Sequence, residues 1–151
     1  MLPKPLVQAA CICENVLIEP DGVASLIRLV DTYTLQLPDP NELPLLPGVL
    51  GLQLAAFVAL KSGDVVGEFE IELQLTDPDG KRQAIRKWPV VMNGGEHGAT
   101  LRLKFALGNP KQGLYWFDVL WNDEALTRIP FRIKFAKQLD DSAESTGGET
   151  H

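Results

Sequence analysis

Apolar and polar residues take turns along three stretches of this chain. Phe69, Ile71, Leu73 and Leu75 are separated by Glu70, Glu72 and Gln74. Leu101, Leu103, Phe105 and Leu107 are separated by Arg102, Lys104 and Ala106, and Ile129, Phe131, Ile133 and Phe135 by Pro130, Arg132 and Lys134. A period of two places one set on each side of an extended backbone, so each stretch predicts a strand with one dry and one wet face, the habit of antiparallel sheets. Residues 7–18, 23–37 and 83–92 read as further strands. Residues 52–61 are apolar nearly throughout and read as a buried strand or a short helix, with Gly48 and Gly51 weighing against the helix. Residues 114–121, "LYWFDVLW", are apolar on both faces: Tyr115, Phe117, Val119 and Trp121 share one parity, Leu114, Trp116 and Leu120 the other.

About eight strands without a convincing helix leave another sheet as the only cover for each apolar face. The expected fold is an all-β, two-layer antiparallel β-sandwich of about seven to eight strands, of immunoglobulin-like or Greek-key type. A single domain is expected over residues 1–137. Residues 138–151 are small, polar and acidic and predict a disordered tail. Residues 38–48, "PDPNELPLLPG", hold four prolines and predict a long loop. Leu43, Leu45 and Leu46 make that loop too apolar to be idle; they are expected to tuck over an end of the sandwich or to form a contact site.

Two bends share a grammar. In both Glu19-Pro20-Asp21-Gly22 and Asp77-Pro78-Asp79-Gly80, proline presets the first central position of a type I turn and glycine supplies the positive φ that rejoins the strands. A shift of 58 residues also aligns Glu14 with Glu72 and Ile27 with Ile85, a likeness that two hairpins built by the same rules explain without duplication. An alternative reading makes Glu19, Asp21, Asp77 and Asp79, with Asp31, oxygen ligands for calcium. Aspartate in a turn ordinarily bonds its own backbone, and no dense Asp-x-Asp cluster recurs elsewhere, so hairpin bends are the preferred reading.

The length, 151 residues, suits one domain that needs neither disulfide nor metal. A formal net charge of −6 argues against phosphate backbones and anionic membranes as partners. No apolar run is long enough to span a membrane as a helix, and the first residues lack a basic leader, so a cytoplasmic protein is expected. Cys11 and Cys13, two apart on one strand, sit about 7 Å apart, too far for easy bridging and too few for a zinc site. His97, in "NGGEHGAT", is the one histidine outside the tail. That glycine-rich run predicts a flexible loop and is no phosphate loop, since no Gly-Lys-Ser/Thr follows. Glu96 beside His97 is a conceivable acid–base pair; adjacent loop side chains are ordinarily just solvated.

Asp21-Gly22 followed by Ser25-Leu26-Ile27, and Gly113-Leu114-Tyr115 followed by Ile129-Pro130-Phe131, resemble a small uncharacterised bacterial β-sandwich family over most of residues 6–136. The Gly113–Tyr115 and Asn122-Asp123-Glu124 pattern is also similar to immunoglobulin-like modules, where a hairpin joins the last two strands. The resemblance implies the sandwich and no activity. The expected function is therefore a non-catalytic protein-interaction or self-associating module without cofactor. Its surface would be Trp116, Trp121, Leu43, Leu45 and Leu46, and its partner another protein or a second copy. The alternatives are a calcium- or carbohydrate-binding sandwich, with the acidic turns or an exposed tryptophan as the site, and a hydrolase using His97.

Overall fold

A computed structural model describes residues 3–37 and 51–137. They form seven strands: β1 (Leu6–Ile18), β2 (Ala24–Leu29), β3 (Thr32–Leu37), β4 (Gly51–Thr76), β5 (Arg82–Gly108), β6 (Gly113–Trp121) and β7 (Glu124–Lys137). The expectation of an all-β fold holds, and residues 52–61 are strand rather than helix. The hydrogen-bonded order is β2-β1-β4-β6-β7-β3, with β5 beside β4.

Two strands of unusual length organise the molecule. The first half of β4 pairs with β1, its second half with β6, and β5 follows it from end to end. One layer is thus the first part of β1, the first half of β4 and the second half of β5, with β2 paired to the far end of β1. The other is the first half of β5, the second half of β4, β6, β7 and β3. The layers close over each other: Phe105 of the first stacks on Phe117 of the second, ring centroids 5.5 Å apart. Ile12, Leu54, Val58 and Leu60 face Ile71, Leu73, Val119, Phe131 and Ile133 in one continuous core.

The passage between layers explains the glycines. Register shifts interrupt the β4–β5 ladder between Lys61 and Val66, and Gly63 lies opposite Gly95. Extra residues in a ladder bend and twist it while leaving the strand continuous. "NGGEHG" is therefore not the loop expected of it but the part of β5 that turns the corner, because the facing strand bends with it. At the same corner the buried Ser62 hydroxyl donates to Met92 Sδ at 3.3 Å. Gly98 is needed for closeness: a Cβ there would lie 1.7 Å from the Leu60 carbonyl oxygen.

The second departure is a parallel pair. The expected strand over residues 23–37 divides where Val30 N–H donates to the Ile12 carbonyl and the Asp31 carbonyl accepts from Arg132 N–H, both at 2.8 Å. Within two residues the chain leaves the first layer and joins the second. It keeps its heading and meets β7 running the same way, from Thr32 opposite Arg132 to Leu37 opposite Lys137. All other pairings are antiparallel.

β6 and β7 are joined by Asn122 and Asp123 alone, with Trp121 opposite Glu124. Both turn residues have positive φ, 48° and 65°, the type I′ geometry that suits the twist of a hairpin and favours glycine at its second position. Asp123→Gly is expected to stabilise the protein by about 0.5 kcal/mol, by removing the left-handed penalty of a Cβ. A thermal melt below that of the unsubstituted protein would contradict the turn.

Candidate interaction surfaces

The two Pro-Asp-Gly bends have the same construction. Gly22 N–H donates to the Glu19 carbonyl at 2.8 Å and Gly80 N–H to that of Asp77 at 2.9 Å. Each first residue's N–H closes the loop on the residue after the glycine, Val23 at 2.8 Å and Lys81 at 2.9 Å. Both glycines have φ of 87°. The carboxylates that would serve a cation serve the turns instead. Asp77 Oδ1 accepts from the N–H groups of Asp79 and Lys81, both at 2.9 Å. Lys111 Nζ lies 3.0 Å from Asp77 Oδ2 and 2.6 Å from Asp79 Oδ2. In the other turn Asp21 accepts from Val23 N–H and Glu19 from the Ser25 hydroxyl. Asp31 is exposed beside Val30. Among the described residues no group of three or more His, Cys, Asp or Glu stands together as a metal site would require.

The Lys81 N–H, with help from Lys111, lowers the Asp77 pKa below the ordinary carboxylate range. A depressed folded value means that Asp77 stabilises the fold above its unfolded pKa, and that this contribution disappears as pH falls through the folded one. Asp77→Ala is expected to lower the melting temperature at neutral pH and to flatten its decline on the acid side. A variant whose loss is unchanged down to pH about 2 would show that the carboxylate does not hold the turn.

His97 and Glu96 are both exposed on β5. Cys13 is buried and Cys11 half-buried, and both are free. Burial pushes both thiols up, so neither is a ready nucleophile. An aromatic disulfide reagent at neutral pH is expected to modify Cys11 slowly and Cys13 only on unfolding. Rapid stoichiometric labelling of both would contradict the burial.

The expectation that Trp121 belongs to an interaction surface fails. It is 2% exposed, with its ring 4.5 Å from that of Phe69, because its parity is that of Phe117 and Val119, which face the other layer. Trp116, of opposite parity, is half-buried on the outer side. It is not an open platform, because the Arg128 guanidinium lies 4.5 Å above its ring and binds Asp118, which is buried, at 2.9 Å. Trp88 is likewise half-buried, with the Arg86 guanidinium 4.9 Å above its ring. Leu43, Leu45 and Leu46 lie outside the described residues, as does the tail.

The surface that sequence reasoning missed is the β1–β2 hairpin. Of nine exposed large apolar side chains among the described residues, five belong to its paired part, from Cys13 to Leu29: Leu17, Ile18, Val23, Ile27 and Leu29. Leu29 is 67% exposed. The signal was available: "VASLIRLV", like residues 114–121, is apolar on both parities. Beyond Cys13 the hairpin leaves β4 and pairs only with itself among the described residues. Its Ile18 and Ala24 line a cleft of about 610 Å³ with Phe57, Ala59 and Arg102. The hairpin thus stands over the outer side of the first layer, and Phe57 and Ala59 are nearly covered although they face away from the core.

No protein-family model and no curated protein matches the chain. Among solved structures it is similar to a β-glucosidase from Kluyveromyces marxianus in complex with glucose, with 16% identity over 54% of this chain and 12% of that one and a TM-score of 0.45. It is also similar to a β-glucosidase from Listeria innocua, with 13% identity, 73% and 15% coverage and a TM-score of 0.41. An immunoglobulin-like protein from Pseudomonas aeruginosa is 18% identical over 87% of this chain and 98% of that one, with a TM-score of 0.42. The chain spans between 12% and 15% of the length of these two β-glucosidases.

Proposed function

We propose that this protein is a non-catalytic interaction module that associates with a second copy of itself through the β1–β2 hairpin. The observation that carries the reading is the concentration of exposed Leu17, Ile18, Val23, Ile27 and Leu29 on one two-stranded element. Leu17, Val23, Ile27 and Leu29 share one parity, Ile18 borders the cleft on the other side, and exposed apolar side chains gathered on one element mark contact sites. Among the described residues β2 is an edge strand, and Ala24-Ser25-Leu26-Ile27-Arg28-Leu29 holds one charge, which Glu14 neutralises at 2.7 Å. Two such edges meeting antiparallel about a two-fold axis would extend the sheet and cover Ile27 and Leu29 on both copies. Free thiols accord with a reducing, cytoplasmic setting. In favour of a non-catalytic role, the described histidine stands exposed on a strand, and both thiols have raised pKa values.

Sedimentation velocity from about 1 µM to about 500 µM tests the reading, since association must follow mass action. The sedimentation coefficient is expected to rise toward that of a dimer, and the Ile27→Glu and Leu29→Glu variants are expected to stay monomeric with the fold intact. A monomer at every concentration would overturn it.

A further inference from the structure

β5 offers a second and different edge. Among the described residues it pairs with β4 alone, along its whole length. Its other side is a row of backbone donors and acceptors with no strand beside it among the described residues. In a chain of formal net charge −6, β5 carries Arg82, Arg86, Lys87, Arg102 and Lys104 against the single acid Glu96. Arg102 and Lys104 make no ion pair among the described residues, and both are exposed. They line a cleft of about 210 Å³ with Val16 and Ala55. The alternate residues are apolar: Leu101 and Phe105 are buried, Leu103 and Leu107 half-buried at the lip of the core.

We propose that the outer edge of β5 over residues 101–107 receives an extended segment of a partner protein in which acidic and apolar residues alternate, added as a further strand. Its carboxylates would lie beside Arg102 and Lys104, and its apolar side chains would extend the row of Leu103 and Leu107. The chain itself shows the pairing. Glu68-Phe69-Glu70-Ile71-Glu72-Leu73 of β4 alternates in this way and lies against the first half of β5. There Lys87 Nζ stands 3.4 Å from Glu72 and 3.6 Å from Glu70. Opposite charges across a strand pair favour it and like charges oppose it. A second copy of β5 is therefore disfavoured at this edge, since cations would face cations. Basic residues along an edge guard against self-pairing and select an acidic strand by the same charge. Main-chain bonds supply affinity in such additions and side chains supply selectivity.

The inference goes beyond the self-association reading and uses a different edge, so the test is made on the full chain carrying Ile27→Glu as well as on the unsubstituted chain. The probes are fluorescein-labelled Glu-Val-Glu-Ile-Glu-Val-Glu, its lysine counterpart, and the acidic peptide N-methylated at alternate residues. The acidic peptide is expected to bind both proteins, and the other two to bind at least about tenfold more weakly. The Arg102→Glu, Lys104→Glu double variant is expected to lose about tenfold, with an unchanged melting temperature. Equal binding of the methylated peptide would reduce the effect to charge alone and overturn strand addition. Equal binding of the lysine peptide, or no binding of the acidic one, would overturn the proposal too. A dimer that forms normally while the peptides fail leaves the hairpin reading standing, and the converse holds for a monomer that binds the acidic peptide.

Discussion

Phe117→Ala is expected to cost about 4 kcal/mol, within the range for removing a buried aromatic side chain. Phe117 is fully buried near the middle of β6, between Leu75 of β4 and Ile129 of β7 in register, and it stacks on Phe105 of the opposite layer. Truncation loses the transfer energy of the ring and leaves a cavity between two sheets whose backbones are held by ladders on either side, so the site cannot collapse to fill it. Phe117→Leu keeps most of the volume and is expected to cost roughly 1.5 kcal/mol. Urea unfolding measures both: the midpoint should fall while the slope stays fixed. A loss below about 1 kcal/mol for alanine would mean that the two layers do not meet at this ring.

Gly98→Ala is expected to be nearly as harmful, at about 3 kcal/mol, and for a different reason. The added Cβ would lie 1.7 Å from the Leu60 carbonyl oxygen and 2.8 Å from its carbon. Both atoms are backbone, so no side chain can swing aside, and relief requires β4 and β5 to part where they pass between layers. Gly108 supplies the control, because a Cβ there meets nothing within 4 Å. Gly108→Ala is expected to be neutral or slightly stabilising, since alanine loses less chain freedom on folding. For a domain of this size the difference between the two variants should reach roughly 10 °C in melting temperature. Equal melting temperatures would show that the strands do not approach at Gly98.

Much of this architecture was legible because period two is a strong local signal. Phe69 to Leu75, Leu101 to Leu107 and Ile129 to Phe135 are strands with the predicted dry faces, and the two-sided apolarity of 52–60 and 114–121 marks central strands. Parity also separated Trp116 from Trp121. It did not say which face was dry, since that depends on which layer lies opposite. Asp118 was the residue that pointed outward, because a carboxylate shares its face with Trp116 and there finds Arg128.

What stayed hidden depends on partners remote in sequence. A glycine run reads locally as a turn, yet at 93–98 it is the bend of a continuing strand. The difference lies in Gly63 and Val66 of the facing strand, which bend in step. Likewise "RLVDTYT" carries no mark that Val30 bonds to β1 and Asp31 to β7, so the parallel pair could not be foreseen. The strands expected over residues 7–18 and 23–37 carry no assignment of Leu17, Ile27 or Leu29 to a dry or a wet face. Only the departure of β1 from β4 beyond Cys13 leaves them outside.

Amide hydrogen exchange along β5, read residue by residue, tests most directly the claim that this strand runs unbroken through both layers as their common edge. Alternate amides from Arg82 to Gly108, those turned toward β4, are expected to be protected, and the intervening ones to exchange fast on both sides of the corner. Uniform protection, or a wholly unprotected gap of loop across residues 93–98 between two separate strands, would contradict it.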